Sequence, residues 1–383
     1  MIGSLFRSIH FKSFLIVISV MALLLGAARL SAQEKIMPQE VTLQLGKKGP
    51  ESFKLAGAVA DHHTAGELAG FLDLKWPSKQ LGAVTIRHSG HDLTIPHTFS
   101  AMGTAWSQPE GEGVVGIDLN SGISAGELIR HREAYDLWVK LMKRIQDSGW
   151  QRYIYLSSPR LTGKDAIRYF QDEENFGLGN ITDPGTVPDF DTWYSVIRQR
   201  AIFAYFYLDG VEMTLSFDST VKDQEDLDDI NKTLSFNEWG QYMMRIEFTT
   251  ARHSTRNDIY HTFIPDGYDI DKLQEEMDKI NSSLPEYWQR YRAIELAKRK
   301  KEEAMLISKG YKIDEGYQDL TERTQVLKGN VDVDGEGSFE VLICNIAYII
   351  KTILIKELLN TYSKYEQNNL ITDVPVDRMQ QPS

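Results

Sequence analysis

Cysteine is almost absent from this chain of 383 residues, in which Cys344 is the single cysteine. One thiol excludes an intramolecular disulfide, so the fold must be stabilised by burial of apolar side chains rather than by cross-links. A chain of this length can build one large core or two ordinary ones.

Long apolar segments are also scarce. The run at residues 14–25 is too short for a comfortable membrane span. It follows the basic residues Arg7 and Lys12 and precedes small residues that end at Ala32, which is the pattern of an export signal. The sequence therefore predicts a signal peptide over residues 1–32, cleaved after Ala32, and a mature periplasmic chain without membrane insertion. An uncleaved anchor is the alternative.

Positive charge is in deficit: 42 Lys and Arg face 54 Asp and Glu, a net charge of −12. Removing residues 1–32 takes away three basic residues and no acid, which gives 39 − 54 = −15. This balance argues against nucleic acid and anionic membranes as main partners, because both reward clustered cations. It favours a protein partner with a basic surface.

One acidic stretch, residues 218–231, concentrates six acids against one lysine. Its two interpretations are a solvated loop and a patch that meets a basic partner, where complementary charge speeds encounter. The candidate partner-binding acids are Asp223, Glu225, Asp226, Asp228 and Asp229.

The sequence predicts two β-hairpins. If Ser89-Gly90 is a two-residue turn in VTIRHSGHDLTI (residues 84–95), His88 faces His91 and Val84 faces Ile95. Residues 202–217 form a second hairpin around Asp209-Gly210, a pair that a type I′ turn prefers. In both, apolar side chains share one face, which predicts antiparallel sheet packed on one side.

Patterns typical of helices lie between and after these predicted strands. Ser124 and Glu127 form a capping box before a helix that ends near Gly149, and Ser283-Leu-Pro-Glu opens another that ends near Gly310. We therefore predict an α+β fold, with antiparallel hairpins packed against several long helices. The predicted divisions are 33–160 and 161–310, two α+β domains that could be continuous, and an extension of unknown role at 311–383.

Three histidines suggest a metal site as a minority hypothesis. His88 and His91 would lie about 5 Å apart between Cβ atoms as a cross-strand pair, with His97 as a third ligand for zinc or copper. No cysteine or carboxylate completes the set in the sequence nearby. A polar pair that flanks a turn is therefore the preferred interpretation. Asp61-His62-His63 adds further potential ligands, but a polar loop explains it equally well.

Other signatures are incomplete. Residues 330–341, NVDVDGEGSFEV, partly match a calcium loop, but Val341 stands where a bidentate acid is needed, so a hairpin is preferred. The sequence contains no H-E-x-x-H pair and no G-x-x-x-x-G-K phosphate loop. We predict a protein that is not an enzyme, with no catalytic residues and no cofactor.

Residues 149–169, GWQRYIYLSSPRLTGKDAIRY, and 192–216, TWYSVIRQRAIFAYFYLDGVEMTLS, resemble exported immunity proteins encoded beside type VI secretion effectors. The resemblance covers roughly residues 55–292 and carries no catalytic motif. It implies a periplasmic protein that binds and occludes an antibacterial toxin, such as a phospholipase. Its alternative is an accessory protein that loads an effector.

Under this hypothesis the toxin would contact the loops at 173–188 and 218–231, with aromatic anchors at the interface. The predicted anchors are Trp193, Tyr205 and Tyr207. The competing hypothesis is a metal-dependent hydrolase or metal-binding envelope protein that uses His88 and His91, with His97.

Overall fold

The structure is a computed structural model, and it describes residues 38–61, 69–106, 112–172, 183–265, 267 and 270–319. The strands in these ranges are β1 Glu40–Leu43, β2 Val59–Asp61, β3 Ala69–Lys75, β4 Gly82–His88, β5 His91–Trp106, β6 Gly113–Gly122, β7 Ile129–Arg130, β8 Gln151–Arg152, β9 Ile202–Leu208, β10 Val211–Ser219, β11 Trp239–Gly240 and β12 Tyr242–Thr250. The helices are α1 Gly49–Ala56, α2 His131–Asp147, α3 Gly163–Gln171, α4 Phe190–Ile197, α5 Gln224–Ile230, α6 Ala251–Phe263, α7 Ile270–Ser282 and α8 Leu284–Ser308.

A large sheet organises the described chain in the order β1-β4-β5-β6-β12-β10-β9-β8. Strand β3 also pairs with β5, and β2 pairs with β3. The β1–β4 pairing is parallel, whereas the other pairings in this sheet are antiparallel. The molecule is therefore an α+β protein with a mostly antiparallel sheet, which confirms the predicted fold class.

Both predicted hairpins form in the predicted register. Val84 pairs with Ile95 and His88 with His91, around a turn in which Ser89 and Gly90 both have positive φ. The β9–β10 hairpin turns at Asp209-Gly210, also with positive φ at both residues. Two positive φ angles are what a type I′ turn requires, so short-range chemistry sets both registers.

Strand β5 bends sharply near its middle. Its first part pairs with β4, its second part pairs with β3 and β6, and His97 between them has a φ of 58°. The Ser89 hydroxyl donates to the Asp209 carboxylate, so the tips of the two hairpins touch. The register across β10, β12, β6 and β5 places the Asp209 turn beside the second half of β5. If β5 were straight, that half would lie roughly 40 Å from Ser89. The β4–β5 hairpin must therefore fold back over the sheet.

The apolar faces meet in the interior. Ile86, Leu93 and Ile95 of the folded-back hairpin are at most 1% exposed. On α4, Trp193 is fully buried, and its ring centroid lies 6.4 Å from that of Trp138 on α2 and 6.0 Å from that of Phe217 on β10. Burying side chains of this size contributes about 3 kcal/mol each, so these contacts fix α2 and α4 on the apolar face of the sheet.

A second cluster holds the last three helices. Its buried members are Leu156, Ile259, Tyr260, Met277, Ile280, Leu284, Trp288 and Tyr291. Helix α8 starts at Leu284 and ends at Ser308, as predicted, although the Ser283 side chain makes no capping hydrogen bond. Ion pairs between buried or half-buried side chains, Arg160 with Glu303 and Arg299 with Asp319, tie α8 to segments on either side of it in the chain.

The predicted domain boundary at residue 160 does not divide the sheet. Strand β6, before it, pairs with β12, after it, so segments 33–160 and 161–310 are continuous within the described residues. Residues 311–319 also pack onto this body, since Tyr311 belongs to a cluster with Leu161 and Tyr169. One sheet buried by helices from both segments explains the continuity, because neither segment has a sheet of its own.

The starts of two helices show that tertiary structure can override a local capping signal. Asp189 caps α4, accepting a hydrogen bond of 2.8 Å from the Thr192 amide, as its side-chain type favours. The predicted capping box at Ser124 is wrong: α2 begins at His131, because Ile129 and Arg130 pair with β11, and the Ser124 hydroxyl donates instead to the carbonyl of Gly126.

Within the described ranges, no helix is long and apolar enough to cross a membrane. Several predictions lie outside these ranges: the signal peptide over 1–32, His62 and His63, the loop at 173–182, the calcium-like loop at 330–341, and Cys344.

Candidate protein-binding surface

Residues 218–231, called the acidic arm below, run from the end of β10 through α5. Four of the five predicted acids, Asp223, Glu225, Asp226 and Asp229, are exposed, and Asp228 is half-buried. The arm is thus a short helix that presents carboxylates to solvent, rather than a loop.

The arm is held in place by its own polar groups and by one apolar contact. Asp223 caps α5 by accepting a hydrogen bond from the Asp226 amide at 3.0 Å. The Gln224 side chain accepts from the Phe236 amide at 2.9 Å, and Leu227 is buried against Phe236 and Val221. These contacts fix the helix, so its acids are presented by a rigid element.

The charge of the arm is mostly uncompensated. Its one lysine, Lys222, donates to Asp218 at 2.8 Å. Among the described residues, Glu225 and Asp229 make no hydrogen bond or ion pair through their side chains. Carboxylates grouped on a fixed surface attract and orient a basic partner.

Two of the three predicted aromatic anchors lie in the interior. Trp193 is fully buried and Tyr207 is 2% exposed, while Tyr205 is half-buried beside Tyr155 at 4.9 Å between ring centroids. Tyr207 lies on the face of β9 opposite the buried Phe206, but Tyr153 and Ala251 cover it. Trp193 and Tyr207 therefore stabilise the core and offer no surface to a partner.

An arginine–aromatic ladder lies beside the arm, formed by Arg132, Phe190, Tyr194 and Arg198. The Arg132 guanidinium lies 4.5 Å above the Phe190 ring, Phe190 stacks on Tyr194 at 5.7 Å, and Arg198 lies 5.4 Å from the Tyr194 ring. Sequence reasoning missed this surface. The available signal was the spacing of Phe190, Tyr194 and Arg198, four residues apart on one face of α4.

His131 supports the ladder from below. Its Nδ1 lies 2.7 Å from the Tyr242 hydroxyl, and its Nε2 lies 2.7 Å from the Phe236 carbonyl oxygen. A carbonyl only accepts, so Nε2 carries the proton and Nδ1 accepts from Tyr242. Burial lowers the pKa of His131, and Arg198 adds to the effect. The neutral ring, 4.7 Å from Tyr194 between centroids, is a structural bridge between α2, α4 and β12.

The predicted histidine site is only partly assembled. His88 and His91 are cross-strand partners, as predicted, but His88 Nε2 lies 2.9 Å from the Asp209 carbonyl oxygen and therefore donates to it. His97 lies at the bend of β5, where burial and then Arg144 lower its pKa. The described residues contain no group of three or more side chains placed to hold a metal ion.

Two literal matches to catalytic motifs stand in other settings. Residues 122–126, GISAG, spell G-x-S-x-G, but they follow β6 and lead to β7 rather than into a helix, unlike a nucleophile elbow. Residues 111–116, GEGVVG, spell a dinucleotide fingerprint, but Gly113 opens strand β6 rather than a helix. Neither setting provides the geometry that gives its motif a function.

A pair of carboxylates crosses the polar face of the sheet. Glu247 on β12 lies directly opposite Asp118 on β6, and Arg245 bridges to Asp118 at 2.9 Å. Burial raises the pKa of Glu247, and the charge of Asp118 raises it further. Like charges on directly opposite residues repel, so the ionised pair costs stability.

Comparisons with known proteins found no match to the chain among family models, curated proteins or solved structures. The functional argument therefore depends on the residues and surfaces described above.

Proposed function

We propose that the chain is an exported binding protein that neutralises an antibacterial toxin by stoichiometric occlusion. The observation that carries the proposal is the acidic arm, a fixed helix whose carboxylates face solvent with one lysine among them. A rigid surface loses little conformational entropy on binding, so it supports tight association. The partner implied by this charge is a protein with a basic surface.

The predicted net charge of the mature chain supports the same partner. At −15 without residues 1–32, the chain attracts a basic protein at long range and repels anionic polymers. The resemblance of residues 149–169 and 192–216 to immunity proteins adds the setting, a toxin that arrives in the periplasm.

The test uses the mature chain, residues 33–383, and the secretion effector encoded beside its gene. We expect a one-to-one complex in size-exclusion chromatography and complete loss of toxin activity at equimolar ratio. A complex that leaves the toxin active supports the effector-loading alternative. No complex and no inhibition contradict the proposal.

A further inference from the structure

We propose that the arginine–aromatic ladder is the energetic centre of the partner interface and binds carboxylates of the protein partner. The inference rests on the proposed function and deepens it, since it names what the partner must present beside its basic surface. Arginine and aromatic side chains dominate the energetics of protein interfaces.

The stacking orients both guanidinium groups. Arg132 lies over Phe190 at 4.5 Å, and Arg198 lies over Phe236 at 4.6 Å and near Tyr194 at 5.4 Å. A guanidinium held by its flat face presents its N–H edge, and that edge matches the two oxygens of a carboxylate. The Arg198 Nη1 donates a long hydrogen bond of 3.5 Å to the Tyr194 hydroxyl, which leaves its other N–H groups for a partner.

Neither guanidinium has a carboxylate partner within the described residues, although the chain has twelve more acids than bases by the counts 54 and 42. The neighbouring Arg130, by contrast, pairs with Glu238 at 3.3 Å. Two exposed cations without a carboxylate partner in the described part of the chain provide the charge complementarity for an acidic side chain from outside.

The aromatic part of the ladder is fixed in advance. The Tyr135 hydroxyl donates to the Pro188 carbonyl at 2.9 Å, and its ring lies 5.6 Å from Phe190 between centroids. Tyr194 rests on the buried His131, and Trp193, on the buried side of the same helix, fills the core. Binding therefore orders few side chains, which favours affinity.

Phe236 joins the ladder to the acidic arm. It contacts Arg198 on one side and packs with Leu227 of α5 on the other. The combined surface is bipolar, so its partner places a cation against the arm and a carboxylate on the ladder. The arm would then mainly speed association, because its charges act at a distance, and the ladder would mainly slow dissociation, because its contacts are short-ranged.

The experiment measures association and dissociation rates of the adjacent effector protein on immobilised mature chain. The ladder variant is Arg132→Glu with Arg198→Glu, and the arm variant is Glu225→Lys with Asp229→Lys. The matched control is Arg290→Glu, since Arg290 is an exposed arginine stacked on Phe263 and Tyr287 at 4.7 and 5.1 Å, away from α2 and α4 in the chain.

We expect the ladder variant to weaken Kd about 30-fold or more, chiefly through faster dissociation, and the control to stay within about 2-fold. The arm variant should slow association and flatten its salt dependence. Arg132→Lys with Arg198→Lys, which keeps the charge but loses the planar fork, should show an intermediate loss. Circular dichroism and thermal unfolding check that each variant is folded.

The outcomes separate the two proposals. If the wild-type chain binds and the ladder variant behaves like the Arg290 control, the ladder inference is overturned while the proposed function stands. If the wild-type chain does not bind the effector, the proposed function fails and the ladder inference fails with it.

Discussion

Arg299 on α8 and Arg132 on α2 show two opposite uses of the same side chain. Arg299 is 3% exposed and donates to the carbonyls of Tyr155 and Ser158, at 2.9 and 3.0 Å, and to Asp319 at 2.7 Å. Arg132 is exposed and contacts aromatic rings, with no carboxylate partner among the described residues.

The difference shows which part of the fold is stabilised by polar contacts and which part is not. A buried guanidinium whose nitrogens all donate hydrogen bonds joins segments that are distant in sequence. Any buried acceptor left without its donor would lower the free energy of unfolding. An exposed one that has only stacking contacts contributes little to folding and remains able to bind. The α8 region is therefore built for stability, and the α2–α4 surface has binding groups that stability does not require.

The largest expected effect is on the buried side of this comparison. Arg299→Met should reduce the free energy of unfolding by about 3–5 kcal/mol, because it leaves Asp319 and two carbonyl groups without their donor. Urea denaturation of residues 33–383 measures the loss. A loss below about 1 kcal/mol would show that the Arg299 contacts do not hold α8 in place.

The second prediction concerns buried His253, whose pKa is lowered to about 3 by burial and by Arg256. Its unfolded pKa is about 6.5, so below that pH the unfolded state binds more protons and stability falls. The contribution is complete above pH 6.5 and declines as the pH falls towards 3, by about 2 kcal/mol at pH 5. Unfolding curves between pH 7.5 and 5 should show a smaller slope for His253→Gln; an unchanged slope would contradict this.

The third prediction is a gain in stability. Glu247→Gln removes one of two opposed carboxylates and should stabilise the fold by up to about 1 kcal/mol at pH 7. Because the raised pKa of Glu247 reflects burial and Asp118, the gain should shrink as the pH falls and Glu247 becomes protonated. Denaturation at pH 7 and pH 5 checks both signs. Destabilisation at pH 7 would show that the hydrogen bond with Thr249 and the charge of Arg245 outweigh the repulsion by Asp118.

The smallest effect is expected on the exposed side. Arg132→Met should change the free energy of unfolding by no more than about 0.5 kcal/mol, since it removes only an exposed cation–π contact. The same denaturation experiment applies, with Arg299→Met as the reference. A large loss of stability in Arg132→Met would show that Arg132, like Arg299, is needed for folding. The ladder would then be a structural element.

Sequence reasoning was most accurate where contacts are local. The predicted pairs Val84 with Ile95 and His88 with His91 form, and the second hairpin turns at Asp209-Gly210 as predicted. The start of α8 after Ser283 was also predicted correctly from the sequence. Turn chemistry and alternation act over a few residues, so the chain carries this information in adjacent positions.

The candidate site was less accessible. The acidity of residues 218–231 was evident, but its helical form and its attachment through Leu227 and Phe236 were not. The choice of Trp193 as an anchor failed because both faces of α4 are aromatic, and nothing local says which face meets α2. Tyr194, one position later, faces outward with Phe190 and forms the ladder with a residue from another helix.

By itself, the sequence determined the hairpin registers, the acidity and the α+β class, because alternation, turn residues and charge act locally or sum over the chain. Only the tertiary structure decided that β5 bends at His97 so that Ser89 meets Asp209. It alone decided that Trp193 of α4 is fully buried while Phe190 and Tyr194 are half-buried. These outcomes depend on packing between segments far apart in the chain, where burial of large apolar faces outweighs the preference of any single residue.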